Sequence, residues 1–401
     1  MSQQFLVQLK NDNFSSDILQ VPSNINKKQL IALFNLENNV SLYVNGNMIV
    51  DTLEKTLSTD SDAESVKIIK MVESKGNSPA AFCSSVISGH SGPILKCLKS
   101  KNTLITCGAD KTVRFWNVNT KMQFKVNQQH NHWVMAVEEL KDYFITGGMD
   151  SSICLYTKEG YFIKTINKQK QGIVKLVKIE NRNEFLSGAR DGTIIHYEID
   201  KQNDVKILNT YKHRDSLTDL VTVENVVVSS TIKGVIKVYN LSDFKYICDL
   251  NENQSRINCI AIRKIDKSIY IITGDDLGNV TLYKDYKVKY RMKHKREVMS
   301  ISIDPNGINF ITGSFDKSVM GWNMETGENL FTIYHFKLIY KVIYMNDLVI
   351  SAGKDKLIKF YKPSTKEQVG SFVTGDEIFD FAYEDGQLIA CCKDSNVYFY
   401  Y

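Results

Sequence analysis

Three carboxylates stand at alternate positions in the short segment "DSDAE", at Asp60, Asp62 and Glu64. Carboxylates with this spacing open the calcium loop of an EF-hand, which also needs a glycine at its sixth position and a glutamate at its twelfth. Counted from Asp60, those positions hold Ser65 and Met71, so an EF-hand is excluded. The segment is therefore either a solvated acidic turn or a metal-binding segment of another kind.

Five of the seven histidines occupy one recurring slot in the sequence. Each stands 20 to 22 residues before a turn residue, in the pairs His90 and Asp110, His130 and Asp150, His213 and Lys233, His294 and Asp316, and His335 and Asp355. Such regularity predicts a structural role for these histidines and not a catalytic or metal-binding one. The remaining two, His132 and His196, are too scattered to form a site, and His132 is predicted to lie in a loop beside Trp133.

A basic run follows the middle of the chain. Its cations are Lys287, Lys289, Arg291, Lys293 and Lys295. They alternate with Val288, Tyr290, Met292 and His294. A strand would place these charges on one face. Two interpretations remain open: the stripe binds RNA phosphates, or its lysines discourage edge-to-edge pairing of an outer strand.

The sequence contains no motif that would support catalysis. A glycine-rich phosphate loop, a G-x-S-x-G elbow and a Cys/His/Asp constellation are all missing. The eight cysteines include no C-x-x-C pair and are predicted to be buried thiols, without a disulfide or zinc framework. The first residues lack the basic and long apolar regions of a signal peptide, so none is expected, and no apolar run of membrane-spanning length predicts a transmembrane helix. The net charge of +5 permits contact with nucleic acid without requiring it.

The elements that position these residues repeat eight times from about residue 80 onward. Each copy is an apolar run, a small-residue turn and an alternating run such as "ITCGADKTVRFW", with an aromatic end at Trp116, Tyr156, Tyr197, Tyr239, Tyr283, Trp322, Tyr361 and Tyr400. The steps between these ends are 40, 41, 42, 44, 39, 39 and 39 residues. A period near forty with four short strands per copy predicts a mainly β fold, an eight-bladed β-propeller.

The propeller is predicted to close by strand exchange. The last aromatic, Tyr400, stands one residue before the end of the sequence, and the apolar segment "AFCSSVIS" at residues 81–88 precedes the first full repeat. We expect that segment to supply the outer strand of the last blade, which would hide an exposed sheet edge.

The N-terminal segment differs from the repeats. Residues 1–73 follow the order of two strands, a helix, a hairpin at Asn45 and Gly46, and a last strand "VKIIKMV". This order predicts a small ubiquitin-like domain with an α+β, β-grasp fold. Residues 74–80 are predicted to form a linker, and residues 81–401 the propeller.

The repeats resemble the WD-repeat family. In that family the histidine, the turn aspartate, a strand Ser or Thr and the aromatic form a buried hydrogen-bonded set. Repeats one and six match it best, at His90, Thr106, Asp110 and Trp116 and at His294, Thr312, Asp316 and Trp322. Six of the eight aromatics are tyrosine, and repeats four and five lack the turn aspartate, so the copies are divergent.

Nearly the whole chain resembles the Notchless-type assembly factors of the large ribosomal subunit, as a shortened and divergent member. The resemblance is carried by "YVNGNMIVDTLEKTL", "SGHSGPILKC", "HNHWVMAV" and "GSFDKSVMGWN". It implies a non-enzymatic, monomeric protein of the nucleus and nucleolus, with no cofactor of its own and no membrane contact. Its propeller would bind the pre-60S particle, including ribosomal RNA.

The same resemblance assigns a role to the acidic segment. The ubiquitin-like domain of the family docks onto midasin, an AAA ATPase whose metal-ion-dependent adhesion site needs one more carboxylate for its Mg²⁺. The matching residue is Glu64, with Asp60 and Asp62 as accessory acids. Two alternatives remain: the related seven-bladed midasin-binding biogenesis factor, and a WD-repeat substrate receptor of a ubiquitin ligase.

Overall fold

The computed structural model divides into two compact units, which consist mainly of residues 1–80 and residues 81–401. The residues that it describes are 4–11, 14–16, 18–22, 24–34, 40–44, 47–49, 53, 67–73, 83–180, 182–243, 245–250, 255–345, 347–384 and 386–400. None of the helices within these ranges has both the length and the apolar character needed to cross a membrane.

The first unit is a mixed sheet with one helix. Its elements are β1 (Gln4–Asn11), β2 (Phe14–Ser15), β3 (Leu19–Pro22), α1 (Lys27–Leu33), β4 (Val40–Val44), β5 (Asn47–Met48) and β6 (Lys67–Glu73). The strand order is β2-β1-β6-β4-β5, and β3 also pairs with β1. The β1–β6 pair is parallel, and the other pairs are antiparallel.

Helix α1 begins at a capping box. The side chain of Asn26 accepts a hydrogen bond from the backbone N–H of Gln29, and the Gln29 side chain accepts one from the backbone N–H of Asn26, both at 3.0 Å. Leu30 of the helix joins Val7, Leu42 and Ile69 of the strands in a fully buried apolar cluster. This cluster is the core of the first unit.

The second unit is an eight-bladed β-propeller, as the repeats predict. Each blade is a four-stranded antiparallel sheet. The strands of blades 1 to 4 are β8 (Ile94–Ser100), β9 (Thr103–Gly108), β10 (Val113–Asn117), β11 (Gln123–Asn127); β12 (Val134–Glu139), β13 (Tyr143–Gly148), β14 (Ile153–Thr157), β15 (Phe162–Ile166); β16 (Ile173–Lys178), β17 (Glu184–Ala189), β18 (Thr193–Ile199), β19 (Val205–Lys212); β20 (Leu217–Val223), β21 (Val226–Thr231), β22 (Ile236–Asn240) and β23 (Tyr246–Asp249).

Blades 5 to 8 follow the same plan, except that blade 8 takes its outer strand from before blade 1. Their strands are β24 (Ile257–Ile265), β25 (Ser268–Asp275), β26 (Asn279–Lys284), β27 (Lys287–Lys293); β28 (Val298–Ile303), β29 (Asn309–Ser314), β30 (Ser318–Asn323), β31 (Asn329–Tyr334); β32 (Ile339–Met345), β33 (Leu348–Gly353), β34 (Leu357–Lys362), β35 (Glu367–Val373); and β36 (Ile378–Glu384), β37 (Gln387–Cys392), β38 (Asn396–Tyr400) with β7 (Cys83–Ser88).

The ring closes through the first strand of each blade. Each first strand contacts the first strand of the next blade, and β36 of blade 8 contacts β8 of blade 1. The second strands, such as β9 with the sequence "TLITCG", are buried almost throughout because adjacent blades cover both of their faces. The outer strands, such as β11, are mostly exposed.

The predicted strand exchange is confirmed. Strand β7 pairs antiparallel with β38, with Ile87 opposite Val397 and Ser85 opposite Phe399. The hydroxyl of Ser84 also donates a hydrogen bond to the carbonyl oxygen of Phe399 at 3.1 Å. The first two residues of the predicted segment, 81 and 82, lie outside the described residues.

Candidate interaction surfaces

Blade 1 holds a buried network that joins three of its segments. Nδ1 of His90 lies 2.9 Å from Oδ2 of Asp110, and Nε2 of His90 lies 2.8 Å from Oγ1 of Thr106. The indole nitrogen of Trp116 donates to the same Oγ1 at 2.8 Å. Burial opposes ionisation of Asp110, but hydrogen bonds from His90, Ser91 and Thr112 outweigh it and hold the pKa of Asp110 well below its usual value. This network ties the loop before β8 to the turn after β9.

The same geometry recurs in three more blades. In blade 6, His294 lies 3.0 Å from Asp316 and 2.7 Å from Thr312, which accepts from the indole of Trp322 at 2.9 Å. The remaining pairs are His130 with Asp150 at 3.2 Å and with Thr146 at 2.8 Å, and His335 with Asp355 and with Ser351, both at 2.8 Å. All of these histidines are buried. Because their nitrogens are engaged within the blades, these residues hold the loops in place and present no reactive surface.

Two blades fill the slot with residues that the sequence patterns did not single out. In blade 3, Gln169 replaces the histidine: its Oε1 accepts from Ser187 at 2.8 Å and its Nε2 donates to Thr193 at 3.1 Å. In blade 5, Ser255 donates to Asp275 at 2.7 Å, and Asp275 stands two residues before the position of the missing turn aspartate. The sequence does contain a signal for Gln169. It precedes Asp191 by the same 22 residues that separate His294 from Asp316.

Blade 4 keeps the histidine without an acidic partner. Nε2 of His213 lies 2.8 Å from Oγ of Ser229, but Lys233 occupies the aspartate position. Burial, reinforced by the charge of Lys237, lowers the pKa of His213 to about 4. The slot therefore holds a neutral imidazole in blade 4 near neutral pH.

The two remaining histidines are far from any common site. His132 is exposed in the loop before β12, with its ring centroid 5.6 Å from that of the half-exposed Trp133. His196 is buried in β18, and its Nε2 lies 3.2 Å from Oε2 of Glu184. Within the described part of the chain, no group of three or more His, Cys, Asp or Glu side chains is arranged to hold a metal ion.

The basic run does not form a single face, so that part of the sequence interpretation is wrong. Tyr290 pairs with Leu282, but Val288 pairs with Tyr283, so a β-bulge at Lys289 interrupts the alternation. Because opposed residues on paired strands share a face, Lys287 lies on one face of the blade, and Arg291 and Lys293 lie on the other.

Two lysines of the run are engaged by other side chains, and a third lies outside the strand. Nζ of Lys289 lies 2.7 Å from Oε2 of Glu325, in blade 6. Nζ of Lys293 donates to Oδ1 of Asn279 at 2.6 Å. Lys295 lies in the loop after β27. The strand therefore does not present a continuous row of free cations.

The acidic segment cannot be placed. Asp60, Asp62 and Glu64 lie outside the described residues, between β5 and β6. The ligand role of Glu64 therefore stays a prediction.

The first strands of all eight blades line the central channel, and each contributes the residue at its third position. A β-bulge precedes this position in every blade, and the ring consists of Lys96, Ala136, Lys175, Asp219, Cys259, Ser300, Lys341 and Asp380. The cavity that they line has a volume of about 450 Å³. Lysines at these positions read as ordinary strand residues in the sequence, so the ring was not predicted.

Comparisons with known proteins agree with the fold. The family model described as "WD domain, G-beta repeat" matches residues 81–117 and 287–323. The structure of Chaetomium thermophilum Sqt1 bound to the N-terminus of the ribosomal protein L10 superimposes with a TM-score of 0.71, over 79% of this chain and 98% of that one, at 13% identity. This likeness shows the propeller fold.

Several curated relatives match more than half of the chain, among them the following two. The ribosome biogenesis protein YTM1 of Scheffersomyces stipitis is 22% identical over 315 residues, which cover 69% of this chain and 65% of that protein. The DDB1- and CUL4-associated factor 13 of Xenopus tropicalis is 23% identical over 298 residues, with the same two coverages. The chain thus spans less than two thirds of the length of these relatives.

Proposed function

We propose that this chain is a non-enzymatic assembly factor of the large ribosomal subunit. Its propeller binds the pre-60S particle, and its N-terminal unit docks onto the adhesion site of a midasin-type AAA ATPase, so that ATP-driven movement reaches the particle. The observation that carries the proposal is the combination, in one chain, of an eight-bladed ring with an N-terminal mixed sheet and helix. The Notchless-type factors that the sequence resembles pair two such parts, and they act in the nucleus and nucleolus.

The topology of the first unit supports a ubiquitin-like domain. A β-grasp sheet has its first and last strands parallel at the centre, with a helix between its two hairpins. Here β1 and β6 form the parallel pair, and α1 lies in the chain between β3 and β4. The buried side chains of α1 pack against those of the sheet, as this fold requires.

The blade count supports a Notchless-type factor over the related seven-bladed one. Eight separate four-stranded sheets make up the ring, and β36 meets β8 without a gap for another blade. The relative named as a ribosome biogenesis protein supports the process in which both kinds of factor act.

A second candidate function is a substrate receptor of a ubiquitin ligase. The relative named DDB1- and CUL4-associated factor 13 favours it, at an identity and coverage similar to those of YTM1. The two candidates differ in the complex that the protein joins, so they can be separated by what purifies with it.

Affinity purification of the tagged full chain, followed by sedimentation, tests the proposed function. We expect the protein to sediment with precursors of the large subunit and to co-purify with a midasin-type ATPase. Co-purification with cullin-type ligase subunits, and not with ribosomal precursors, would overturn the proposal.

The docking role is assigned to Glu64. Mg²⁺ prefers carboxylate oxygens and demands near-octahedral geometry at about 2.0–2.1 Å. Glu64→Asp keeps the charge but withdraws the oxygen by roughly 1.5 Å, about the length of one C–C bond. Coordination should then fail while long-range attraction survives.

A pull-down with the isolated adhesion-site domain of the ATPase tests this role. The full chain should bind in Mg²⁺ and not in EDTA, and Glu64→Asp should not bind in either. Asp60→Asn and Asp62→Asn are the controls: each should weaken binding only slightly, and less so at high salt, because screening already removes their attraction. Normal binding by Glu64→Asp, or binding unaffected by EDTA, would leave the segment as a solvated turn.

A further inference from the structure

One face of the propeller carries a group of cations without partners. The face is formed by the loops before the first strands and by the turns between the second and third strands. Backbone hydrogen bonds join each loop to its turn, as from Arg190 N to Gly172 O at 2.9 Å and from Ile232 N to Ser216 O at 2.9 Å. On blades 3 to 6 these segments carry eight exposed cations, Lys168, Lys170, Arg190, Arg214, Lys233, Arg256, Lys295 and Lys317, which we name the basic face.

None of these eight side chains forms an ion pair or a hydrogen bond with any residue that the structure describes. The described acids on the same segments are fewer, and they are Asp191, Asp215, Asp276, Glu297 and Asp316. Asp191 accepts from Lys170 N at 2.8 Å, Asp276 accepts from Asn258 at 2.7 Å, and Glu297 pairs with Arg296 at 3.1 Å. The eight cations therefore outnumber the five acids, and the basic face carries a net positive charge.

In the equivalent turns of blades 7 and 8, three lysines are paired with acids. Lys354 and Lys393 lie 3.7 and 3.2 Å from Oε1 of Glu377, and Lys356 lies 3.4 Å from Asp376. These lysines occupy the same turns as the cations of the basic face. Most of the unpaired cations on this side of the ring therefore belong to blades 3 to 6, although Lys111 in blade 1 and Lys337 in blade 7 are also exposed.

A partly apolar recess is lined by two of the cations. Arg190 and Arg256 line it together with Met149 and Ile232, and its volume is about 240 Å³. The half-exposed Trp133 lies in the loop before β12, on blade 2, which is the neighbour of blade 3. The surface thus offers cations for phosphates, an aromatic ring for stacking, and a partly apolar recess.

We propose that the basic face binds single-stranded RNA, with phosphates on its lysines and arginines and one unstacked base in the recess. Cations spread over four adjacent blades match a repeating chain of phosphates better than the few carboxylates of a peptide side-chain cluster. Unstacked bases are recognised by aromatic and arginine side chains. The proposed function supplies only the source of this RNA, ribosomal RNA; binding itself is a property of the isolated chain.

The test is fluorescence anisotropy with the full chain and a fluorescein-labelled uridine- and adenine-containing RNA of about 12 nucleotides, a typical length for a single-stranded site. The test variant is Arg190→Ala/Arg214→Ala/Arg256→Ala. We expect it to lose at least about tenfold in affinity. We also expect the slope of log K against log[salt] to fall by about 2, since each phosphate contact contributes about 0.7.

Two controls remove three cations elsewhere. Lys354→Ala/Lys356→Ala/Lys393→Ala makes the same change in charge on the same face, but at paired lysines. Lys287→Ala/Arg291→Ala/Lys293→Ala makes it on β27. Both should bind within about threefold of the unmodified chain, and equal thermal unfolding midpoints would show that all variants are folded.

Three outcomes would overturn the inference. They are no binding of the RNA by the unmodified chain, equal losses in the test and control variants, and binding of a fluorescein-labelled oligoglutamate peptide more tightly than the RNA. If RNA binding fails while the tagged chain still sediments with pre-60S particles, the inference is wrong and the proposed function stands. RNA binding in vitro without association with ribosomal precursors would instead overturn the proposed function.

Discussion

The ammonium nitrogen of Lys341 in blade 7 lies 2.5 Å from Oδ1 of Asp380 in blade 8. The second carboxylate oxygen of Asp380 accepts the backbone N–H of Cys97 in blade 1 at 3.0 Å, so one aspartate links three blades. Across the channel, Asp219 in blade 4 repeats the arrangement with Lys175 of blade 3 at 3.0 Å and with the backbone N–H of Ile260 in blade 5 at 2.9 Å. These two aspartates connect blades from opposite sides of the ring.

Lys341→Met should destabilise the propeller. The change leaves the buried carboxylate of Asp380 without its cation, while Lys341 keeps the pKa of Asp380 low in the unmodified protein against the opposing effect of burial. We expect a loss of about 2 kcal/mol, below the usual range for a buried pair because the lysine reaches the water-accessible channel. Chemical unfolding measures it.

The matched control for that variant is Lys96→Met. Lys96 occupies the equivalent position in blade 1 and forms no ion pair within the described residues, but its charge also lowers the pKa of Asp380, so its removal should cost about 1 kcal/mol, less than that of Lys341. Equal stability of the two variants would show that the Lys341–Asp380 pair does not hold the ring together.

Tyr156→Phe and Tyr400→Phe should affect stability differently. Both rings are buried, but the hydroxyl of Tyr156 has no hydrogen-bond partner in the described part of the chain, whereas that of Tyr400 donates to Val373 O at 2.9 Å. Removing the unpaired hydroxyl should leave the free energy of unfolding unchanged or raise it by up to about 1 kcal/mol, and removing the paired one should lower it by about 1 kcal/mol. Denaturant titrations compare them, and a larger loss for Tyr156→Phe would contradict the assignment.

His130 and His213 should make stability depend on pH in opposite directions. Burial disfavours the charged form of His130, but its hydrogen bond to Asp150 outweighs burial and raises the pKa of His130 to about 9 from 6.5. The contribution of His130 to the free energy of unfolding is therefore complete below about pH 6.5 and is lost as the pH rises through 9. The pKa of His213 falls to about 4, so its contribution is complete above pH 6.5 and is lost as the pH falls toward 4.

Glutamine is a suitable replacement in both positions because Gln169 fills the same slot in blade 3. We expect His130→Gln to flatten the decline of the thermal unfolding midpoint between about pH 6.5 and 9, and His213→Gln to flatten it between about pH 4 and 6.5, each unit of pH being worth up to about 1.4 kcal/mol. Parallel profiles for the unmodified chain and both variants would contradict these assignments.

Deleting residues 1–88 should yield an unstable, aggregating propeller, whereas deleting residues 1–76 should leave it folded. The longer deletion removes β7 and leaves the edge of β38 unpaired in blade 8. Thermal unfolding with light scattering compares the two truncations. If they melt at the same temperature without aggregating, the exchanged strand is dispensable.

The repeats made the propeller predictable because each blade buries the same positions. The spacing of His90 and Asp110, and the aromatic residue at Trp116, mark side chains that take part in one hydrogen-bonded network. The network could therefore be predicted from the sequence. The bulge at Lys289 could not, because alternation in a sequence does not show where a strand gains an extra residue.

The charged ring of the channel was also beyond sequence analysis. Asp219 and Lys175 lie 44 residues apart in the chain and meet only because their blades are neighbours. Likewise, the basic face depends on which loops lack acidic partners in space. Repeats fix what lies within a blade, whereas contacts between blades depend on residues that differ from copy to copy.

The exchanged strand sets an order of events during synthesis. Ile87 and its partner Val397 are separated by 310 residues, so β7 leaves the ribosome first among the propeller strands and its partner strand leaves last. At roughly 5–20 residues per second, β7 waits on the order of 15–60 s for β38. Seven blades can form locally during that time, but the eighth cannot. Sealing of the ring is therefore the final step of its biogenesis, and the nascent chain keeps an open seam for nearly its entire synthesis.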